Sequence, residues 1–312
     1  MFIDRLMEKV KKLRNPTVMG LDPKLEYIPA SIRKKNLDLY GNTFKAAAES
    51  ILEFNKRLID AVSDIIPAIK PQLAYYEMYG TEGIKAFEDT VRYGREKGLL
   101  VIADGKRNDI GSTSEAYSKS YLGETLLEND ISRPVYNVDA LTVNGYLGID
   151  GIKPMIEDCI KYHKGIFVLV KTSNQSSVQL QDMVVEDGRK VYEVIADLVT
   201  DWGKNITGKC GYSSVGAVVG ATWPQQLKSL RERMPNVCFL VPGYGAQGGG
   251  AGDVAGAFDK DGLGAIINAS RSLMCAYKSK KWAGKFSEEE FDAACREEAI
   301  YMRNELRNVC NL

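Results

Sequence analysis

Residues 99 to 113 read Leu-Leu-Val-Ile-Ala-Asp104-Gly-Lys106-Arg-Asn-Asp109-Ile110-Gly-Ser-Thr113, and from this stretch the rest of the chain can be read. An apolar run of strand character delivers Asp104, Lys106 and Asp109 where the chain leaves the strand and turns through Gly111 toward a helix. Chemistry in α/β proteins gathers at such carboxyl ends of strands. The plain alternative is a solvated loop in which Asp109 or Ser112 only caps the following helix.

The same strand-then-helix unit recurs on both sides. Eight short β-branched runs alternate with helical stretches: Thr17 to Leu21, Ile65 to Ile69, Leu99 to Ala103, Val138 to Val143, Ile166 to Val170, Val215 to Val219, Val237 to Val241 and Leu263 to Ile267. This predicts an α/β protein of the (β/α)8 TIM-barrel class, with residues 1–312 as a single domain because no Pro- or Ser-rich linker divides them. A doubly wound sheet would carry Gly-x-Gly-x-x-Gly after its first strand, whereas here Gly20-Leu-Asp22-Pro follows. Phe44 to Val62 has helical periodicity, Pro224 suits the first position of a helix to Met234, and Phe286 to Asn308 should close the outer ring. The helix up to Arg14 precedes the first strand and is expected to cover the bottom of the barrel.

Composition excludes several functions. Lys plus Arg and Asp plus Glu number 41 each, so no overall field draws a polyanion, and nucleic acid is not an expected partner. No apolar run reaches membrane-spanning length and the N-terminus lacks a secretory block, which predicts a cytoplasmic protein without a membrane partner. The six cysteines are scattered and His163 is the one histidine, so neither a zinc site nor a disulfide framework is expected. His163 ends an amphipathic stretch from Met155 to Lys164, where a helix-end role is expected.

In a barrel, the strand ends converge on one mouth. They supply Asp22, Lys70, Asp104 with Lys106, Thr142 with Asn144, Lys171-Thr-Ser173-Asn174, Pro242-Gly-Tyr244-Gly-Ala-Gln247-Gly-Gly-Gly and Asn268-Ala-Ser270-Arg271. Barrels often hold phosphate between the last two of these loops. Here glycines admit backbone N–H groups, Gln247 can donate, and Arg271 can fork two oxygens.

Together, Asp104-Gly-Lys106-Arg-Asn-Asp109-Ile110-Gly-Ser-Thr113, Pro242-Gly-Tyr-Gly-Ala-Gln247 and Ser270-Arg271 resemble the orotidine 5′-phosphate decarboxylase family over nearly the whole chain. Lys70-Pro-Gln-Leu-Ala-Tyr-Tyr-Glu and Thr172-Ser173-Asn174 resemble its longer bacterial (type 2) branch, although Gln175 stands where that branch more often has proline. The resemblance implies decarboxylation of orotidine 5′-phosphate to UMP, the last step of UMP synthesis, with no metal and no cofactor. Lys106 would protonate C6 and Asp104 would sit beside the departing carboxylate. Asp109, with Ile110 and Thr113, would reach the neighbouring subunit's site, which implies a homodimer. Lys70 and Asp22, with Asp109, would hold the ribose hydroxyls and the alternating charged array. Ser173 would read the pyrimidine amide edge, and Pro242, Gln247, Ser270 and Arg271 would form the phosphate end. Two other readings remain: a sugar-phosphate aldolase with Lys106 or Lys171 as Schiff-base nucleophile, and a barrel that binds a nucleotide phosphate without turning it over. Tyr244 and the long segment from Pro23 to Asn42 carry no assignment.

Overall fold

A computed structural model describes residues 1–245, 248–310 and 312. Among them, eight parallel strands close into a barrel: β1 Thr17–Leu21, β2 Ala68–Pro71, β3 Leu100–Arg107, β4 Ala140–Val143, β5 Gly165–Lys171, β6 Ser213–Val219, β7 Val237–Val241 and β8 Ala265–Ala269. Each strand pairs with its neighbours in chain order and β8 closes on β1, through Thr17 beside Ile267. A short antiparallel ribbon, Thr125–Leu126 with Ser132–Arg133, lies outside the barrel.

Alternation along the strands divides the core in two. Val18, Ala68, Leu100, Ile102, Ala140 and Phe167 cluster with Phe2, Ile3, Leu6, Met7 and Val10 of the helix Phe2–Leu13, which therefore plugs the bottom as expected. The Phe2 and Phe167 rings meet edge to face at 6.1 Å, and a Cβ on Gly165 would fall 2.3 Å from the Phe2 ring. The second cluster joins the outer faces of the strands, such as Met19, Ile69, Val101 and Val168, to the surrounding helices.

The helix Phe44–Val62 has the expected bounds, with the Thr43 hydroxyl accepting the Ala46 N–H at its start. Pro224 is the first residue of Pro224–Arg233, and the last long helix runs Phe291–Cys310. Two strands sit later than their apolar runs suggest. Ile65 and Ile66 are spent on closing the preceding helix, both donating to the Val62 carbonyl, so β2 begins at Ala68. Gly264, at φ +85°, separates Leu263 from β8. β3 runs on to Arg107, so Lys70, Asp104 and Lys106 all lie within strands.

The remaining expectations concern single residues. His163 caps the helix Ile149–Tyr162 at φ +57° and offers its carbonyl to Arg5, a helix-end role. All six cysteines are free thiols. No helix among the described residues is long and apolar enough to cross a membrane. The segment after Asp22 forms a turn at Leu25–Tyr27 and the helix Ala30–Tyr40, with Ile28 and Ile32 anchored in the core.

Candidate active site

The register between β3 and β4 slips around Asp104 and Lys106: four steps from Ala103 to Arg107 match two from Leu141 to Val143. Such a bulge re-aims side chains, and here it coincides with Lys106 at φ +46°, in the left-handed region that a side chain rarely adopts. Backbone strain of this kind persists only where neighbours enforce it. The Thr142 hydroxyl of β4 does so by accepting the Lys106 N–H at 3.0 Å.

The result is one carboxylate between two ammoniums. Asp104 Oδ2 takes Lys70 Nζ at 2.5 Å, while Oδ1 takes Lys106 Nζ at 2.7 Å and the Thr142 hydroxyl at 2.8 Å. Lys70 is nearly sealed at 4% side-chain exposure, whereas Lys106 is 46% exposed and reaches into the open cavity. Burial alone would raise the Asp104 pKa, but the charges and hydrogen bonds of Lys70 and Lys106 override it and hold the carboxyl well below its usual range. For Lys70 burial works against the charge, yet Asp104 and Asp22 together keep its ammonium above the ordinary lysine value. Asp22 ends in the opposite state. Burial dominates, Lys70 pulls the other way, the like charge of Asp104 adds to the burial effect, and the net pKa is raised. One Asp22 oxygen is buried without a partner among the described residues.

These groups line a cavity of about 760 Å³ at the carboxyl ends of the strands. Its walls include Asp22, Lys70, Asp104, Lys106, Thr142, Ser173, Pro242, Ser270 and Arg271, so most of the sequence-predicted site converges. Gly20 of β1 makes room for one wall: a Cβ there would lie 2.0 Å from the Ser270 hydroxyl. The Ser173 hydroxyl has no hydrogen-bond partner among the described residues, which leaves it available to a ligand. Tyr244, unassigned from sequence, also lines the cavity, and burial pushes its hydroxyl up to about 12.

Three expected residues stay outside this cavity. Asp109 turns back on its own chain, accepting the Ile110 N–H at 2.8 Å, and Ile110 and Thr113 are exposed at the start of the helix Gly111–Tyr121. Neither Asp109 nor Ser112 caps that helix, whose N-cap is Ile110 without a side-chain bond. Gln247 lies outside the described residues.

Lys171 corrects the expectation that every strand-end charge points into the mouth. The β5–β6 register shifts between Leu169 and Lys171. Leu169 lines the cavity, while Lys171 is fully buried, paired with Asp182 and set 4.5 Å over the Trp223 ring. The cavity also contains residues that sequence reasoning passed over: Lys24, Tyr27, Tyr75, Gln181 and Met274. Of these, Tyr75 lies in the quoted stretch Lys70 to Glu77, where it has no assigned role, and no motif contains the others. Asn268, noted only as a strand end, puts its amide 3.3 Å from the Ser270 hydroxyl.

Comparison with known proteins agrees with this geometry. Residues 31–286 match the "Orotidine 5′-phosphate decarboxylase / HUMPS family". An orotidine 5′-phosphate decarboxylase of Caldicellulosiruptor bescii is 45% identical over 278 residues, 89% of this chain and 90% of that one. Its counterpart from Rhodopirellula baltica is 41% identical over 98% of this chain and 99% of that one. The structure of Leishmania donovani OMP decarboxylase superposes with a TM-score of 0.74 at 30% identity, covering 100% of this chain and 99% of the other. With a barrel of the same topology and relatives that span almost its full length, the chain belongs to the orotidine 5′-phosphate decarboxylase family.

Proposed function

We propose that the protein decarboxylates orotidine 5′-phosphate to UMP, with Lys106 as the proton donor. The observation that carries this reading is the Asp104 carboxylate held between the Lys70 and Lys106 ammoniums at the cavity floor. When the C6–carboxylate bond breaks, carbon dioxide leaves and the electron pair remains on C6, in the ring plane and outside the π system. No delocalisation is available to it, so stabilisation has to be electrostatic. A fixed ammonium beside C6 offsets the developing charge and then transfers its proton to the carbon; solvent later reprotonates the Lys106 amine.

Each neighbour has a part in this reading. Asp104 orients Lys106 and lies against the departing carboxylate. Lys70 and Asp22 hold ribose hydroxyls, Ser173 reads the pyrimidine amide edge, and Pro242, Gln247, Ser270 and Arg271 take the phosphate. Binding energy from that remote phosphate is available to hold the reacting end in place. Both oxygens of Asp104 are already engaged by cations and a hydroxyl, so the carboxylate presents an ammonium to the substrate. A Schiff base at Lys171 has no support, since that amine is sealed away from the cavity. A barrel that only bound phosphate would have no use for the Asp104 array.

The reading extends to a cytoplasmic, single-domain protein acting as a homodimer. Exposed Ile110 and Thr113, with Asp109 beside them, then contribute to the partner's cavity. The test is the fall in orotidine 5′-phosphate absorbance with purified protein, with and without chelator, beside Lys106→Ala. Chelator-resistant formation of UMP that vanishes in the variant is expected. No conversion by the intact protein overturns the proposal.

A further inference from the structure

The stretch from Thr172 to Lys190 leaves β5, crosses the barrel mouth and returns to the helix Val191–Trp202. Only a single bridge, Val184 to Lys190, pairs its backbone in sheet fashion, and that bridge is internal to the stretch. What fastens it to the barrel is therefore side-chain chemistry. Lys171, the last residue of β5, sends its ammonium to Asp182 and to the Ser177 hydroxyl at 3.2 Å, while Lys190 approaches Asp182 from the other side at 3.1 Å. One residue before Asp182, Gln181 accepts the Thr172 N–H at 2.9 Å and donates to the Thr172 hydroxyl at 2.8 Å. From below, Trp223 donates to the Thr172 carbonyl and the Thr222 hydroxyl to the Ser173 carbonyl, both at 2.9 Å. The space a Cβ on Gly220 would need is filled by Ser173 itself, whose Cα would lie 2.7 Å away.

The Thr172 N–H and carbonyl and the Ser173 carbonyl are thus all held, while the Ser173 hydroxyl is left for a ligand. An ammonium with 0% exposure is costly unless its counter-ion is in place, so Asp182 cannot drift without releasing Lys171 and the whole crossing. We propose that Lys171 and Asp182 form a latch that positions Ser173, making them positioning residues for recognition of the pyrimidine base. The proposal rests on the reading of Ser173 as the group that meets the pyrimidine amide edge. The latch sits at the base end of the cavity, so its loss should be felt by the base and not by the phosphate.

Binding of UMP and of ribose 5-phosphate, measured by calorimetry on the full-length protein, separates these effects. In Asp182→Asn, and in Lys171→Met/Asp182→Asn, which carries no buried charge, UMP should weaken about tenfold, the scale of one lost hydrogen bond. Ribose 5-phosphate should be unchanged in both, and adding Ser173→Ala should weaken UMP no further. The double variant guards against misfolding of the single one. Unchanged UMP affinity, equal loss for both ligands, or full additivity with Ser173→Ala overturns the latch. Failure of the unaltered protein to bind UMP would instead overturn the nucleotide reading, and is seen before any variant is made.

Discussion

Thr142 and Lys106 are locked across the β3–β4 slip: the Thr142 hydroxyl accepts the Lys106 N–H at 3.0 Å and donates its own proton to Asp104 at 2.8 Å. A single hydroxyl thereby stabilises a left-handed backbone and fixes the carboxylate that orients the lysine. Thr142→Val keeps the shape and removes both bonds. It should lower kcat/KM by about 1–3 kcal/mol, the cost of leaving buried groups unpaired, with kcat falling more than KM rises. Steady-state kinetics reading wild-type values would show that the hydroxyl is dispensable.

Lys106→Ala should lower kcat by at least about a thousandfold, within the range for a lost general acid, because the proton and the nearby charge disappear together. UMP affinity should be retained, since the product's charge lies at its far end. Retained turnover would remove Lys106 from the proton-transfer step.

At that far end, Arg271→Ala should lower kcat/KM by roughly 2–4 kcal/mol, as expected of a lost charge-assisted contact at a catalytic site. Kinetics with orotidine lacking the phosphate should be insensitive to the same change. An equal effect on both substrates would place Arg271 elsewhere than the phosphate.

The two carboxylates should leave opposite marks on stability. Asp104, held below its ordinary pKa, contributes stability that is present above the unfolded-state pKa and is lost as pH falls through its folded value. Asp22, held above its ordinary pKa, opposes folding at neutral pH and is relieved as it takes up a proton. Asp22→Asn should therefore stabilise the protein at pH 7 by about 1 kcal/mol while reducing activity, the exchange common at functional sites. Denaturation midpoints followed from pH 7 down into the acid range below the ordinary carboxylate pKa check both signs, and a destabilised Asp22→Asn at pH 7 would contradict the account.

If Asp109 serves the neighbouring subunit, inactive Asp109→Ala and inactive Lys106→Ala should rescue one another. Each mixed dimer holds one intact site, so random exchange restores about a quarter of wild-type activity. Absence of rescue, with subunit exchange verified by mass, would return Asp109 to a role within its own chain.

The chain alone determined the barrel and the charged core of the site. Eight apolar runs alternating with helical stretches admit few other arrangements, and Asp104 with Lys106, two residues apart where the third run ends, are delivered to the same mouth. Tertiary structure decided the rest. Lys171 has the same strand-end position as Lys70, yet a register slip at Leu169 turns it into a buried pair with Asp182. Gln181, Tyr27 and Lys24 reach the cavity from segments without periodicity, where only the path of the folded chain says what they face. The division has a physical cause: alternation and hydrophobic spacing are local and survive in a linear sequence, whereas bulges, crossings and burial depend on contacts between residues far apart in it.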